Sequence, residues 1–230
     1  MAIYAFARVG DDMADEGSAD AQTRLTQLQA YRRDLRLCTT PGALLHPPWS
    51  GVFTALGEQI KIHRLPIDPL HHLLDAFEQD VHYTQEGKRY ETRAELLAYC
   101  EKSANPIGRL LMHLYGIAEA DSLWRSDAIC TSLQLINFWQ DLSVDIPRQR
   151  HNLPLDSSVD NELNFAHALM IQGSTLAERV PGRAGWEIRM VVQGGLRVLQ
   201  KCRSTDTLMK RPRLSAWDMP LMLFRSACMA

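Results

Sequence analysis

Four polar side chains in the run Thr131–Pro154, TSLQLINFWQDLSVDIPRQRHNLP, stand at a spacing that could hold a metal ion. Read at about 3.6 residues per turn, Gln134, Asn137, Asp141 and Asp145 share one helix face. Leu133, Leu135, Ile136, Phe138, Trp139, Leu142 and Val144 take up most of the remaining girth, which marks the helix for burial. Carboxylates inside such a helix are costly unless a cation offsets them. The stripe therefore reads as one wall of an internal, charged site.

A second stripe repeats the pattern near the start of the chain. In IYAFARVGDDMADEG, Tyr4, Arg8, Asp11 and Asp15 fall on one face, with Ile3, Phe6, Val9 and Met13 around them. At a rise of roughly 1.5 Å per residue, Asp11 and Asp15 lie about 6 Å apart along the axis and can reach one cluster of hard cations. Mg²⁺ suits such a place, because it takes oxygen ligands, keeps several waters and bridges one or two carboxylates to a phosphate. Either stripe alone fits a solvated or N-terminal helix face as well. Two stripes, each with amide or Arg partners, favour a metal cluster.

The elements that must carry these stripes are all helical. The spacing predicts helices over residues 2–14, 19–37, 52–63 and 69–81, with a Pro/Gly-rich loop at 39–50. Residues 82–91 read as a polar loop near a site mouth. Thr92 and Glu95 form a Thr-x-x-Glu capping box opening the next helix, and Asn105-Pro106 should kink it before it continues to Tyr115. The long central helix covers 119–144 and ends before Ile146-Pro147. Further helices are expected at about 160–179, 184–203 and 215–228. No alternating strand pattern and no repeat appear, so the expectation is an all-α, single domain over residues 1–230.

Composition narrows the function classes. The 230 residues are enough for a real core. Hydrophobic residues at 46% and charged residues at 23% are ordinary for a globular chain. A formal net charge of −2 gives no sign of a broad basic face, which argues against nucleic acid as a partner. Five widely spaced cysteines, Cys38, Cys100, Cys130, Cys202 and Cys228, read as reduced thiols of a cytoplasmic protein. No segment approaches the roughly 20 apolar residues of a membrane span. Met1 stands three residues before Tyr4, so the first motif helix opens without a lead-in, and an upstream segment is expected to be missing.

Several chemistries find no support. A di-iron carboxylate bundle needs Glu-x-x-His pairs on facing helices, and none of the eight histidines sits that way. Gly-rich phosphate loops, Zn-ligand spacings and Ser/His/Asp signatures are also absent. What remains is Mg²⁺-assisted handling of a diphosphate, with Arg8 and Arg150 able to add bidentate contacts. An apolar cavity beside such a cluster would suit ionisation of an allylic or cyclopropylcarbinyl diphosphate.

The motifs Asp11-Asp12-Met-Ala-Asp15 and Gln134-Leu-Ile-Asn137-Phe-Trp-Gln140-Asp141-Leu-Ser-Val-Asp145 resemble the paired Asp-rich motifs of the squalene/phytoene synthases. The preceding Tyr4 and Arg8 and the following Arg150 and Leu153-Pro154 match as well. The resemblance implies an isoprenoid synthase fold and head-to-head prenyl diphosphate chemistry. Ser103-Ala-Asn105-Pro106-Ile-Gly108-Arg109, Asp145-Ile-Pro147-Arg148, Pro181-Gly-Arg183-Ala-Gly-Trp186-Glu and Val192-Gln-Gly-Gly195 are similar to the bacterial hydroxysqualene synthases of hopanoid biosynthesis. That branch implies presqualene diphosphate as substrate and water as the final nucleophile. A companion presqualene diphosphate synthase and peripheral membrane contact are then expected partners.

On that resemblance Asp11, Asp15, Asp141 and Asp145 hold Mg²⁺, with Asn137 in support. Arg8 and Arg150 contact diphosphate, Tyr4 orients or stabilises charge beside it, and Gln134 and Gln140 assist. Asn105 is a candidate to position the water, or else a helix-breaking polar residue. The chain departs from the family where Gly-Arg-x-Tyr-Leu-Pro reads Gln149-Arg150-His151-Asn152-Leu153-Pro154, where residues 82–91 run long, and in the absent upstream segment. Squalene or phytoene synthesis, and an inactive metal-binding paralogue, stay open as alternatives.

Overall fold

The computed structural model describes residues 1–229. Their regular elements are helices, and the β-type pairing among them is one isolated parallel bridge between Arg89 and His151. The chain divides into two compact units, Met1–Lys88 and a second that begins at Arg89.

The first unit holds α1 (Ala2–Asp15), α2 (Ala21–Leu37), a short 3₁₀ turn at Pro47–Trp49, α3 (Ser50–His63) and α4 (Asp68–Glu86). Asp20 caps α2 by accepting the Thr23 N–H at 2.7 Å. The core is an aromatic cluster. The Tyr31 ring lies 4.5 Å from Phe53, 5.3 Å from Phe6 and 5.5 Å from Trp49, centroid to centroid. The Tyr31 hydroxyl donates to the Phe6 carbonyl at 3.1 Å, which ties α2 to α1 through the core. Asp34 is fully buried beside this cluster and accepts from the His46 N–H and Trp49 Nε1 at 2.7 and 2.8 Å. α1 offers Phe6, Gly10 and Ala14 inward, and a Cβ on Gly10 would stand 2.7 Å from the Phe77 ring of α4.

The loop expected at 82–91 is a correction. α4 runs on to Glu86 and stops where Gly87 takes a left-handed conformation, φ 58°. Gly87 N–H then meets the Thr84 carbonyl and Lys88 N–H the Tyr83 carbonyl, the paired closure of a glycine-terminated helix. The polar residues 82–86 form the exposed last turn of a helix, which apolar periodicity alone does not reveal.

The second unit contains α5 (Arg93–Ser103), α6 (Asn105–Leu114), α7 (Ala120–Asp145), α8 (Val159–Ser174), α9 (Leu176–Arg179), α10 (Gly182–Arg203) and α11 (Met219–Ala227). Short 3₁₀ turns follow α7 at Ile146–Arg148 and precede α11 at Ala216–Asp218. Thr92 caps α5, but Glu95 reaches back to the Glu91 N–H at 2.9 Å, so the box closes one residue early. The chain breaks between α5 and α6 at Ala104, where a kink was expected.

α7 buries Leu135, Ile136, Phe138, Trp139 and Leu142. It lies so close to α8 that a Cβ on Gly173 would meet Ile129 Cγ1 at 2.7 Å and the Arg125 carbonyl oxygen at 2.8 Å. The helix expected over 160–179 is two helices, α8 and α9. Arg125 of α7 donates to the Gln172 carbonyl at 2.9 Å and to the Thr175 hydroxyl, closing the end of α8 from outside.

Candidate functional site

The first stripe lies on the side of α1 away from its packed face. Tyr4 and Arg8 are exposed, and Asp11 and Asp15 are half-buried. Phe6, Gly10 and Ala14 take the buried positions of α1, and Ile3, Val9 and Met13 are half-buried beside the stripe. Arg8 bridges two acids, with Nη2 2.6 Å from Asp12 Oδ1 and Nη1 3.4 Å from Asp11 Oδ2. Tyr4, Arg8, Asp11 and Asp15 thus share one face of α1, with the guanidinium held beside Asp11 and Asp12.

The second stripe sits on the C-terminal half of α7. Asn137 is exposed, while Gln134, Gln140, Asp141 and Asp145 are half-buried. Asp141 is set deeper than the ion-paired Asp11 and Asp12, its side chain only 13% exposed. Burial raises its pKa above the ordinary carboxylate value, against the opposing pull of Arg211.

Arg211 is the residue that sequence reasoning missed. Its Nη2 donates to Asp141 Oδ2 at 2.9 Å, and its Nε stands in close ionic contact with Oδ1, off the hydrogen-bonding axis. Two further bonds fix the same strap of chain to α7. Gln140 Nε2 donates to the Pro212 carbonyl at 2.6 Å, and the Ser143 N–H reaches the Thr207 carbonyl at 3.0 Å. Gln140, expected to assist at a diphosphate, gives one amide hydrogen to the strap. Beside the strap lies a depression of about 420 Å³ lined by Lys201, Thr205, Lys210, Arg211, Pro212 and Arg213. Four cations around one hollow suit an anion.

The loop after α7 turns through Gln149, which stands where the family pattern has glycine. Gln149 takes φ 62° and ψ 25°, the left-handed conformation that glycine adopts without cost. Its N–H reaches the Ile146 carbonyl, and the Arg150 N–H reaches the Asp145 carbonyl, both at 3.0 Å. The Leu155 N–H donates to the Tyr90 carbonyl, and the Arg89–His151 bridge runs alongside, so the loop is pinned at both ends. Arg150 is half-buried there. Asn152, which stands where the family pattern has Tyr, points its amide at Asp145 Oδ2 from 3.4 Å.

Asn105 opens α6, and its Oδ1 accepts the Thr131 hydroxyl of α7 at 2.8 Å. Thr131 lies one turn before Gln134 on α7, so Asn105 is tied close to the second stripe.

Among the described residues no three His, Cys, Asp or Glu side chains gather into a ready metal centre. The donor chemistry nevertheless fits Mg²⁺. Each stripe offers two carboxylates one turn apart, all half-buried, and this ion takes one or two carboxylates with phosphate and waters. At Asp141 a guanidinium occupies the place a cation would take.

Comparison with known proteins fits this geometry. The pattern of the squalene/phytoene synthases matches residues 1–158. A hydroxysqualene synthase from Zymomonas mobilis is 36% identical over 150 residues, covering 63% of this chain and 45% of that protein. The chain thus spans less than half of that relative. A hydroxysqualene synthase from Rhodopseudomonas palustris is 29% identical over 241 residues, covering 93% of this chain and 77% of that protein. The crystal structure of a squalene synthase from Alicyclobacillus acidocaldarius aligns with a TM-score of 0.75 at 29% identity, over 88% of this chain and 81% of that one. A dehydrosqualene synthase at 18% identity, TM-score 0.73, covers 99% of this chain and 84% of its own, and supports the all-α fold alone. Because the matched residues run from the Asp stripe of α1 through that of α7 and its pinned loop, the chain belongs to the squalene/phytoene synthase family.

Proposed function

We propose that this chain is a hydroxysqualene synthase-type enzyme, which releases diphosphate from presqualene diphosphate and lets water capture the rearranged carbocation. One water enters, and diphosphate and a proton leave. The observation that carries this reading is the set of three relatives named hydroxysqualene synthase, 26–36% identical to the chain.

Asp11, Asp15, Asp141 and Asp145 would hold Mg²⁺, with Asn137 in support. Bound Mg²⁺ supplies charge neutralisation to the leaving diphosphate. Arg8 and Arg150 would contact the diphosphate through planar, two-pronged contacts, and Tyr4 and Gln134 would orient the group. Asn105, its oxygen engaged by Thr131, has its amide hydrogens left to orient the incoming water. A presqualene diphosphate synthase would supply the substrate. The protein works in the cytoplasm and meets a membrane at its surface, since both substrate and product carry long apolar chains.

The test is turnover of presqualene diphosphate with and without Mg²⁺, with products identified by mass spectrometry and farnesyl diphosphate run in parallel. Hydroxysqualene formed only with Mg²⁺ is expected. Asp141→Asn should lower kcat by about 10²–10³, the effect of losing one preorganised electrostatic contact to developing charge. Squalene or phytoene from farnesyl diphosphate would replace this reading with head-to-head condensation, a course that the 28%-identical phytoene synthases support. No turnover of either substrate, with Mg²⁺ binding intact, would make the chain an inactive metal-binding paralogue.

A further inference from the structure

We propose that the outer side of residues 208–225 is a docking surface for anionic phospholipid bilayers. Trp217, Met209 and Phe224 are 91%, 80% and 68% exposed, and Leu208, Met219 and Leu223 stand exposed among them. α11 explains why. It turns Met222 and Ser226 inward, in line with Asp218 one turn earlier. The opposite side, where a water-facing helix carries polar residues, holds the exposed Leu223 and Phe224. The segment is held firmly in this attitude. Asp218 accepts Lys201 Nζ at 2.6 Å, Arg197 Nε at 2.7 Å and the Ser215 N–H at 2.7 Å, and the Ser226 hydroxyl meets Met190 Sδ at 3.3 Å.

Charge selects the partner. Residues 188–230 contain eight Lys and Arg against two Asp and no Glu, in a chain of net charge −2. Asp218 is buried in its ion pairs, so the exposed charges along residues 206–225 are Lys210, Arg213 and Arg225 against the single acid Asp206. Exposed aromatic side chains and exposed cations on one segment match a bilayer interface, where rings sit at headgroup depth and cations meet anionic lipid. A second copy of the chain fits less well, because a two-fold contact would set the same cations against one another. Nucleic acid fits less well too, because the centre of the patch is apolar. The inference deepens the membrane contact proposed above by naming its surface, and it does not rest on the reaction.

The experiment is flotation of the purified chain with vesicles of phosphatidylcholine alone and of phosphatidylcholine mixed equally with phosphatidylglycerol. Binding to the mixed vesicles, weakened by high salt, is expected. Trp217→Ala with Phe224→Ala should weaken it at least about tenfold, through loss of buried apolar area. Lys210→Gln with Arg213→Gln should weaken binding to the mixed vesicles only. Circular dichroism and thermal melts of these surface variants should match the parent, which separates lost docking from lost folding. The proposal is overturned if the parent floats with neither vesicle, or if the double aromatic variant binds as well as the parent. It is also overturned if the aromatic variant only shifts the mass seen by sedimentation, which would make the patch a self-interface, or if the parent retains duplex DNA in place of vesicles. No arm uses turnover, so failure here leaves the catalytic reading untouched, and the converse holds.

Discussion

Gln149 holds a backbone conformation that its side chain makes costly. A non-glycine residue in the left-handed region gives up about 1–2 kcal/mol, and two hydrogen bonds around Ile146 and Arg150 hold it there. Gln149→Gly is therefore expected to raise stability by about 1 kcal/mol, read as a higher urea midpoint with an unchanged slope. Asp218 is a second residue with a defined sign. Lys201, then Ser215 and Arg197, hold its carboxyl well below the ordinary range. Its contribution to stability is in place above the unfolded value of about 3.9 and is lost as pH falls through the lower folded value. Asp218→Asn should therefore lower the melting temperature at neutral pH. The gap to the parent should close as the pH is taken below about 4, which a melt series would show.

At the scale of elements, the strap of residues 207–212 is the feature that places the second stripe. Guanidinium and Mg²⁺ compete for one carboxylate at Asp141. Arg211→Gln is expected to tighten Mg²⁺ binding in the absence of substrate, by several-fold up to about tenfold, the range one half-screened ion pair allows. Calorimetric titration of the apo chain would read it. Much of the element plan was legible beforehand. The 3.6-residue rhythm of α1 and α7, the cap at Thr92 and the stop at Ile146-Pro147 follow from local spacing, and the structure places all of them within a residue or two. The strap was not legible, because Arg211 lies 70 residues from Asp141 in a proline-containing run without periodicity. Nor was the end of α8, which is set by Arg125 from a neighbouring helix rather than by its own sequence.

For the molecule as a whole, the composition concealed an uneven distribution. A net charge of −2 suggested no basic face, yet residues 188–230 carry eight cations and two acids. Thiol chemistry is uneven too. Burial pushes Cys100 and Cys130 up to about 12 and Cys202 to about 11, and raises Cys38, while Cys228 is exposed. Because the thiolate is the reactive species, iodoacetamide at mildly alkaline pH should modify Cys228 rapidly and the other four only after unfolding. Mass spectrometry of the native and denatured protein would count them.

The strap also bears on how the chain can be cut or fused. A protein ended after Arg203 would keep every residue of both Asp motifs, yet Asp141 would lose its counter-ion, Gln140 its carbonyl partner and Ser143 its cross-chain bond. A shortened version would then look like a defect of the metal motif, although no motif residue had been altered.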